Sequence, residues 1–325
     1  MVKIAVGDIE KAAKAALCNH GSEDWIAQSV AHAIARAEAF GNRICGLYYL
    51  ESYCQQLVSG RVNGKVIPEV TRVRPGFVKA DAKFGFAQPA FMRALPEASK
   101  AARENGIAVL AVGHAHTCTS LGYFTEIIAA QGLIGIGFTN AFAVVAPPGG
   151  TDGVIGTNPI ACSVPGVGNK MRMHFDFSTT AIARGKITMA KAAGEKIPLG
   201  WAVDNEGNPT TDPDKALAGA QVSAGGYKGW GFGLMAEMLA AGMTGGVSSL
   251  DVEPLKNAQG SPHDLGQFYI LIDPSASDVF ADRFERFATA IAQQEGARIP
   301  GASRNAELVV SVPDELWALT QKLAA

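Results

Sequence analysis

C-x-x-C pairs are missing from this sequence, and its five cysteines, Cys18, Cys45, Cys54, Cys118 and Cys162, are an odd number. That argues against a zinc ribbon or a disulfide framework and favours a reducing, cytoplasmic setting. Long apolar runs are missing as well. The run Ile107–Val112 is among the longest, and a membrane-spanning helix needs roughly 20 apolar residues. Asp8, Glu10, Lys11 and Lys14 interrupt any apolar stretch near the start, so no secretory leader is expected. Basic runs are absent and the formal net charge is only -2. No strong field draws the chain toward nucleic acid or an anionic membrane. The glycine signatures of common nucleotide sites are also missing. Gly135-Ile136-Gly137 is followed by Asn140 where G-x-G-x-x-G needs its last glycine, and Gly229, Gly231 and Gly233 lie inside a helical pattern. A P-loop is absent too.

What is present is an ordinary globular composition, 48% hydrophobic and 18% charged over 325 residues, long enough for two structural domains. The first part reads as helix. Ser22 can cap a helix with Glu23 and Asp24 in its first turn, where acidic groups suit the dipole. Ile26, Val30 and Ile34 form an apolar stripe, and Gly41 ends the helix. A second helix is expected over Leu47–Val58, stopped by Gly60.

Beyond Pro89 the pattern alternates. Helices are expected over Phe91–Glu104, from about Ser120 to Gln131, and over Tyr227–Ala241, Ser277–Glu295 and Pro313–Leu323. Strands are expected over Ile107–Val112, Leu133–Phe138, Met173–Phe177, Phe268–Ile272 and Leu308–Val312. Strands alternating with helices predict an α/β fold. The boundaries are a helical subdomain over 1–75, joined by the C-terminal helical segment 278–325, and an α/β domain over 76–277 that binds cofactor and substrate.

Several polar turns could carry chemistry. Gly113–Ser120 lies between a strand and a helix, where free amides and hydroxyls can face an anion; a capped helix with no ligand explains it as well. His114 and His116 lack a third donor nearby, so no metal site is expected. Gly156-Thr157-Asn158-Pro159 is a turn whose hydroxyl and amides could hold a carboxylate. Asp176 and Ser178 can cap the element that follows them. Arg184 and Lys186 could bind an acid, although single charges of this kind are usually solvated.

The order of these segments is distinctive. Pro147-Pro148-Gly149-Gly150, Gly156-Thr157-Asn158-Pro159-Ile160, Asp176-Phe177-Ser178-Thr179-Thr180 and Ala183-Arg184-Gly185-Lys186-Ile187 follow in turn. Ile197–Ala202, Pro209–Pro213, Gly226–Gly231 and Arg298–Gly301 complete the series. Over nearly the whole chain this resembles the malate/L-lactate dehydrogenase family. The resemblance implies a non-Rossmann, NAD(P)-linked oxidoreductase fold, with a large mixed sheet plus a helical subdomain. It also implies a homodimer that reduces 2-oxo acids or the cyclic imines Δ1-pyrroline-2-carboxylate and Δ1-piperideine-2-carboxylate.

By the same resemblance Thr117, Cys118, Thr119, Ser120 and Leu121 contact the cofactor, with Asp176, Phe177, Ser178, Lys228, Gly229, Pro300, Gly301 and Arg304. Thr157, Arg184 and Gly185 face the substrate, and Lys186 takes a charge-relay position. The family's Ser-His-Gly, with its following Arg and Tyr, reads here Ile44-Cys45-Gly46, then Tyr49 and Tyr53. The proton-donating His is thus Cys45 and the substrate-binding Arg is Tyr49. Tyr49 and Tyr53 are therefore the substrate-side candidates, and Cys45, Lys186 and His116 the catalytic ones.

The substitution at Cys45 bears on the reaction. Reduction of a ketone puts charge on oxygen and needs a donor. Hydride attack on a protonated imine only neutralises it. The leading expectation is therefore NADPH-dependent reduction of a cyclic imino acid to L-proline or L-pipecolate, with NADH as the alternative cofactor. The second is a 2-oxo acid reductase using His116 or His114 as donor. The third is a catalytically silent paralogue that still binds a cofactor.

Overall fold

The computed structural model describes residues 1–166 and 171–325. Strands β1 (Val2–Ala5) and β11 (Val309–Val312) pair antiparallel, so the two ends of the chain meet in a ribbon. Helices α1 (Val6–Asn19), α2 (Asp24–Ala39), α3 (Leu50–Ser59) and α10 (Asp314–Ala324) pack around it. Their shared core holds Ile26, Val30 and Ile34 of the α2 stripe, with Leu47, Leu50, Tyr53 and Val310. The N-cap of α2 is Glu23; the hydroxyl of Ser22 turns away and donates to the Glu23 carbonyl at 3.3 Å. Gly41, at φ +73°, reverses the chain after α2, a conformation that suits glycine. Residues 47–49 form a 3₁₀ turn, and α3 proper starts at Leu50.

The main sheet contains β2 (Glu69–Arg74), β3 (Phe77–Asp81), β4 (Ile107–Ala115), β5 (Ile134–Thr139), β6 (Ile160–Pro165), β7 (Met171–Phe177) and β10 (Leu265–Ile272). Its order is β2-β3-β4-β10-β5-β6-β7. Only β3 and β4 run parallel; the other neighbours are antiparallel. Thus β10 arrives late in the chain and inserts between β4 and β5. Helices α4 (Ala87–Asn105) and α5 (Leu121–Ala130) bury the core on one face, with Phe91, Phe124 and Tyr269 at its centre. Helix α8 (Tyr227–Glu237) and the π-helical turn Met238–Gly242 pack Ala236 and Leu239 against Phe138 and Phe268. A small cluster of Ile187, Ile197, Ala202 and Ala216 joins α6 (Arg184–Ala193), α7 (Pro213–Ala218) and the short pair β8 (Ala202–Val203) and β9 (Ala220–Gln221).

Some segments differ from the sequence expectations. Helix α4 starts before Pro89 because proline fits a first turn, where its missing N–H would be unpaired anyway. Helix α9 (Phe280–Ala292) buries no residue and contributes none to the core of the terminal ribbon. It stands beside β7, where the Arg172 guanidinium lies over the Phe284 ring and pairs with Glu285. Of the segment 278–325, β11 and α10 alone reach the helical core.

Candidate active site

The turn from β4 into α5 is closed by a residue from β7. The Asp176 carboxylate accepts from the Gly122 amide at 2.8 Å and from the Ser120 hydroxyl at 3.3 Å. It thus occupies the positive end of α5. Burial still pushes the Asp176 carboxyl above its usual range, against the two hydrogen bonds. Gly122 is required for this approach: a Cβ there would stand 2.8 Å from Asp176 Cβ and from His174 Cε1. Thr119 sits at φ +59° and its hydroxyl donates to the Cys118 carbonyl at 2.7 Å. Cys118 and Leu121 point into the core, so only their backbone can meet a ligand.

One turn further along α5, the buried Glu126 gathers two arginines. Arg36 Nη2 lies 2.9 Å from Glu126 Oε2, and Arg304 pairs with the other carboxylate oxygen. The Phe40 ring lies 4.5 Å from Arg36 Cζ and 3.7 Å from Arg304 Cζ. Burial lowers the Arg304 pKa to about 10, still far above neutral pH. The segment before Arg304 runs along β7. The His174 amide donates to the Pro300 carbonyl at 2.9 Å, and Gly301 leaves no room for a Cβ against the His174 backbone.

These contacts leave a groove of about 550 Å³. Ser120, Asp176, Phe177, Pro300, Gly301 and Arg304, all read from the sequence, line it together. Ser303, within the expected Pro300–Arg304 segment, and Arg298, read only as part of a motif, line it too, while Phe40, Asn42, His174 and Phe175 were not foreseen. Ser178 stands just beyond, its hydroxyl 2.7 Å from that of Thr180. Lys228 and Gly229 begin α8 and do not line the groove. Gly229 is there for packing: a Cβ would lie 1.9 Å from the Ala224 carbonyl oxygen.

Cys45 ends the 3₁₀ turn Arg43–Cys45 at the edge of the same region. Burial, and then the Asp176 charge, push its thiol up to about 12. It is therefore protonated throughout the physiological range. The next residues are held from behind by Glu38, whose carboxylate accepts from the Leu47 amide at 2.8 Å. A Cβ at Gly46 would fall 2.2 Å from Glu38 Oε1, which explains the glycine. Tyr49 and Tyr53 stack at 6.2 Å. Burial raises the Tyr49 hydroxyl to about 12, and Tyr53, fully enclosed beside Thr119, is raised as well. Ile44 abuts Gly185 at the start of α6.

The remaining candidates are placed as follows. Arg184 is half-buried and donates to the Leu217 carbonyl at 3.1 Å, tying α6 to α7. Lys186 is exposed on α6. The Thr157 carbonyl accepts from the amide and hydroxyl of Thr179, while the buried Asn158 donates to Glu237 at 2.8 Å. The histidines are placed against the expectation that they could serve as donors. His116 is buried, bonded to Gln56 at 2.9 Å and packed against the rings of Tyr53, Phe86 and His263. Burial holds it neutral, far below its ordinary pKa. It lies just past the end of β4 with its ring in the core, whereas the hydroxyl of Thr117 beside it accepts from the Thr119 amide within the turn. His114 pairs with Asp81 at 3.0 Å, and neither histidine lines the groove. Among the described residues no group of three or more His, Cys, Asp or Glu is placed to hold a metal ion. No helix among them is long and apolar enough to cross a membrane.

A family profile for malate/L-lactate dehydrogenase matches residues 4–310. The chain belongs to the malate/L-lactate dehydrogenase family. It is thereby an oxidoreductase of the nicotinamide-dependent kind. Among family members it is 38% identical to (2R)-3-sulfolactate dehydrogenase (NADP(+)) of Chromohalobacter salexigens, over 97% of each chain. It is 36% identical to Δ1-pyrroline-2-carboxylate reductase of Ancylobacter novellus, over 99% of this chain and 97% of the relative. The crystal structure of Δ1-piperideine-2-carboxylate reductase from Pseudomonas syringae pv. tomato superposes with a TM-score of 0.90 at 32% identity, covering 99% of this chain and 100% of that one.

Proposed function

We propose that this family member reduces a small cyclic imino acid, Δ1-pyrroline-2-carboxylate or Δ1-piperideine-2-carboxylate, to L-proline or L-pipecolate. The observation that carries this reading is the state of the donor position. Cys45 is a thiol pushed to about 12, and His114 and His116 are engaged elsewhere. A ketone reductase must protonate an oxyanion as it forms, which so weak an acid serves poorly. A protonated imine reaches the neutral amine with no proton delivered during the step. The resemblance to pyrroline- and piperideine-carboxylate reductases points the same way.

The groove suits a dinucleotide without a glycine-rich βα crossover. Phe177 offers an exposed ring, and Arg298 with Ser303 offers a phosphate-binding pair. That pair supports NADPH over NADH. Reduced nicotinamide supplies the hydride that C2 of the acceptor receives. Thr117–Leu121, Asp176–Ser178 and Pro300–Arg304 hold and orient the cofactor on this reading. Tyr49, Thr157 and Gly185 enclose the acceptor, with Tyr53 behind Tyr49 in the core, and Cys45 fills the donor position as a neutral, small side chain. The exposed apolar residues Tyr227, Phe232, Met235 and Met238 of α8 and its extension support a homodimer that covers them. Five unpaired thiols suit a cytoplasmic location.

A second reading has its own support. The 38% identity to a sulfolactate dehydrogenase favours an open-chain acid such as 3-sulfopyruvate. Steady-state assays decide between them. Higher kcat/KM on Δ1-pyrroline-2-carboxylate than on 3-sulfopyruvate, pyruvate or oxaloacetate is expected, and the reverse order rejects the imine reading.

A further inference from the structure

We propose that Lys256 supplies the cation that receives the carboxylate of the acceptor; this rests on reading the site as one for a small carboxylated substrate. Such a substrate needs a positive partner, and Arg184 and Lys186 are the candidates that the resemblance offers. Arg184 donates to the Leu217 carbonyl, and Lys186 stands exposed on α6. Tyr49 replaces the arginine that the resemblance leads one to expect. Its hydroxyl can donate one hydrogen bond but brings no charge.

Lys256 stands over these tyrosines. Its Nζ lies 3.7 Å from the Tyr48 ring centre and 5.8 Å from that of Tyr49. Tyr49 in turn follows Cys45 across the consecutive 3₁₀ turns Arg43–Cys45 and Leu47–Tyr49, close enough for a thiolate at Cys45 to raise the tyrosine hydroxyl. The lysine therefore stands at the rim of the donor position. An ammonium resting on aromatic faces at an exposed site is weakly held, so it can exchange that contact for a charge-assisted hydrogen bond.

The backbone that carries Lys256 is fixed with unusual care. Gln56 donates to the Leu255 carbonyl at 2.7 Å, Ser52 to the same oxygen at 3.4 Å, and Ser59 to the Ala258 carbonyl at 2.6 Å. Arg61, its side chain fully buried, donates to the carbonyls of Pro254, Asn257 and Ser261 at 3.2, 2.6 and 2.8 Å. All of these anchors belong to α3 or follow it directly, and Tyr49 is the N-cap of that helix. One scaffold thus positions both the tyrosine and the lysine.

The test compares Lys256→Met with Lys256→Arg on whichever carboxylated acceptor the wild-type enzyme reduces. The methionine variant should raise KM roughly 10- to 100-fold, with kcat nearly unchanged, and the arginine variant should recover most of that loss. Inhibition by pyrrole-2-carboxylate should weaken in parallel, while the NADPH dissociation constant stays the same. An unchanged KM in the methionine variant, or equal damage in both variants, would overturn the proposal. A wild-type preference for 3-sulfopyruvate would end the imine reading alone, because the same comparison then runs on that acid. Wild-type imine turnover with an indifferent Lys256 would end the lysine proposal alone.

Discussion

The Asp176 carboxylate on β7 accepts the Gly122 amide of α5 at 2.8 Å, so one side chain closes a helix start and forms part of the groove wall. Loss of this cap has a defined cost. Asp176→Ala should destabilise the fold by about 1–2 kcal/mol in urea denaturation at pH 7, the usual range for a lost helix cap. Asp176→Asn should cost less, because its amide oxygen can still accept from Gly122. The pH dependence has a clear sign. The folded-state pKa is raised above the ordinary aspartate value, so the native state holds this proton more tightly than the unfolded chain does. The stability that this contributes is full below pH 3.8 and is lost as pH rises through the folded pKa. The stability difference between wild type and Asp176→Asn should therefore shift against the wild type over that rise.

Cys45 should be chemically quiet. With the thiol near 12, its alkylation by iodoacetamide at pH 8 should be on the order of a thousandfold slower than that of a free cysteine. Peptide mapping of a short labelling pulse checks this. Cys45→Ala should keep kcat on the imine within about threefold, whereas Cys45→His should raise turnover of open-chain oxo acids by roughly 10- to 100-fold.

Glu126 holds Arg36 and Arg304 from inside α5. Glu126→Ala would leave two guanidinium groups without their acid, and both are partly exposed. A loss of about 2–3 kcal/mol is expected, below the full cost of breaking an enclosed pair. NADPH titration by fluorescence should weaken with it, because Arg304 and the Phe40 face lose their common anchor.

Arg298 distinguishes the two cofactors. Arg298→Ala should weaken NADPH about tenfold and leave NADH nearly unchanged, if its guanidinium meets the 2′-phosphate. Equal loss for both nucleotides would place the arginine elsewhere on the dinucleotide.

The neighbouring buried histidines His116 and His263 should govern acid stability. Burial holds His263 at about 4 and His116 well below its ordinary value, while the unfolded residues titrate near 6.5. A depressed base is stabilising above 6.5, and that contribution is lost as pH falls through the folded pKa. The urea midpoint should therefore fall between pH 6.5 and 4, and His263→Gln should flatten the decline.

Periodic and punctuated segments were legible in the sequence. The α2 stripe, the strands β4, β5, β7 and β10, and the glycine stops at Gly41, Gly60 and Gly106 follow from local rules. Strand β6 was not legible, because Ile160–Pro165 follows an Asn-Pro turn and shows no alternation. Edge strand β2 interleaves Val70 and Val73 with charged residues and reads as a polar loop. In the groove, the segments around Ser120, Asp176 and Arg304 could be named from motif order, but their meeting depends on β7 packing against α5. His116 misled because adjacency to a turn says nothing about whether a side chain faces the turn or the core. A lone acid in the apolar helix 121–130 was a visible sign of Glu126, since a buried carboxylate needs partners. Lys256 gave no such sign; only the loop tied to α3 brings it over the tyrosines.

The insertion of β10 between β4 and β5 also governs how the molecule is made. Both strands leave the ribosome more than a hundred residues before their common neighbour. At about 5–20 residues per second, they wait for several seconds with unpaired edges. Until residue 272 is synthesised the nascent sheet is open at its middle, a state prone to pairing with other chains. Fragments ending before β10 should aggregate, and the full chain should fold late and all at once.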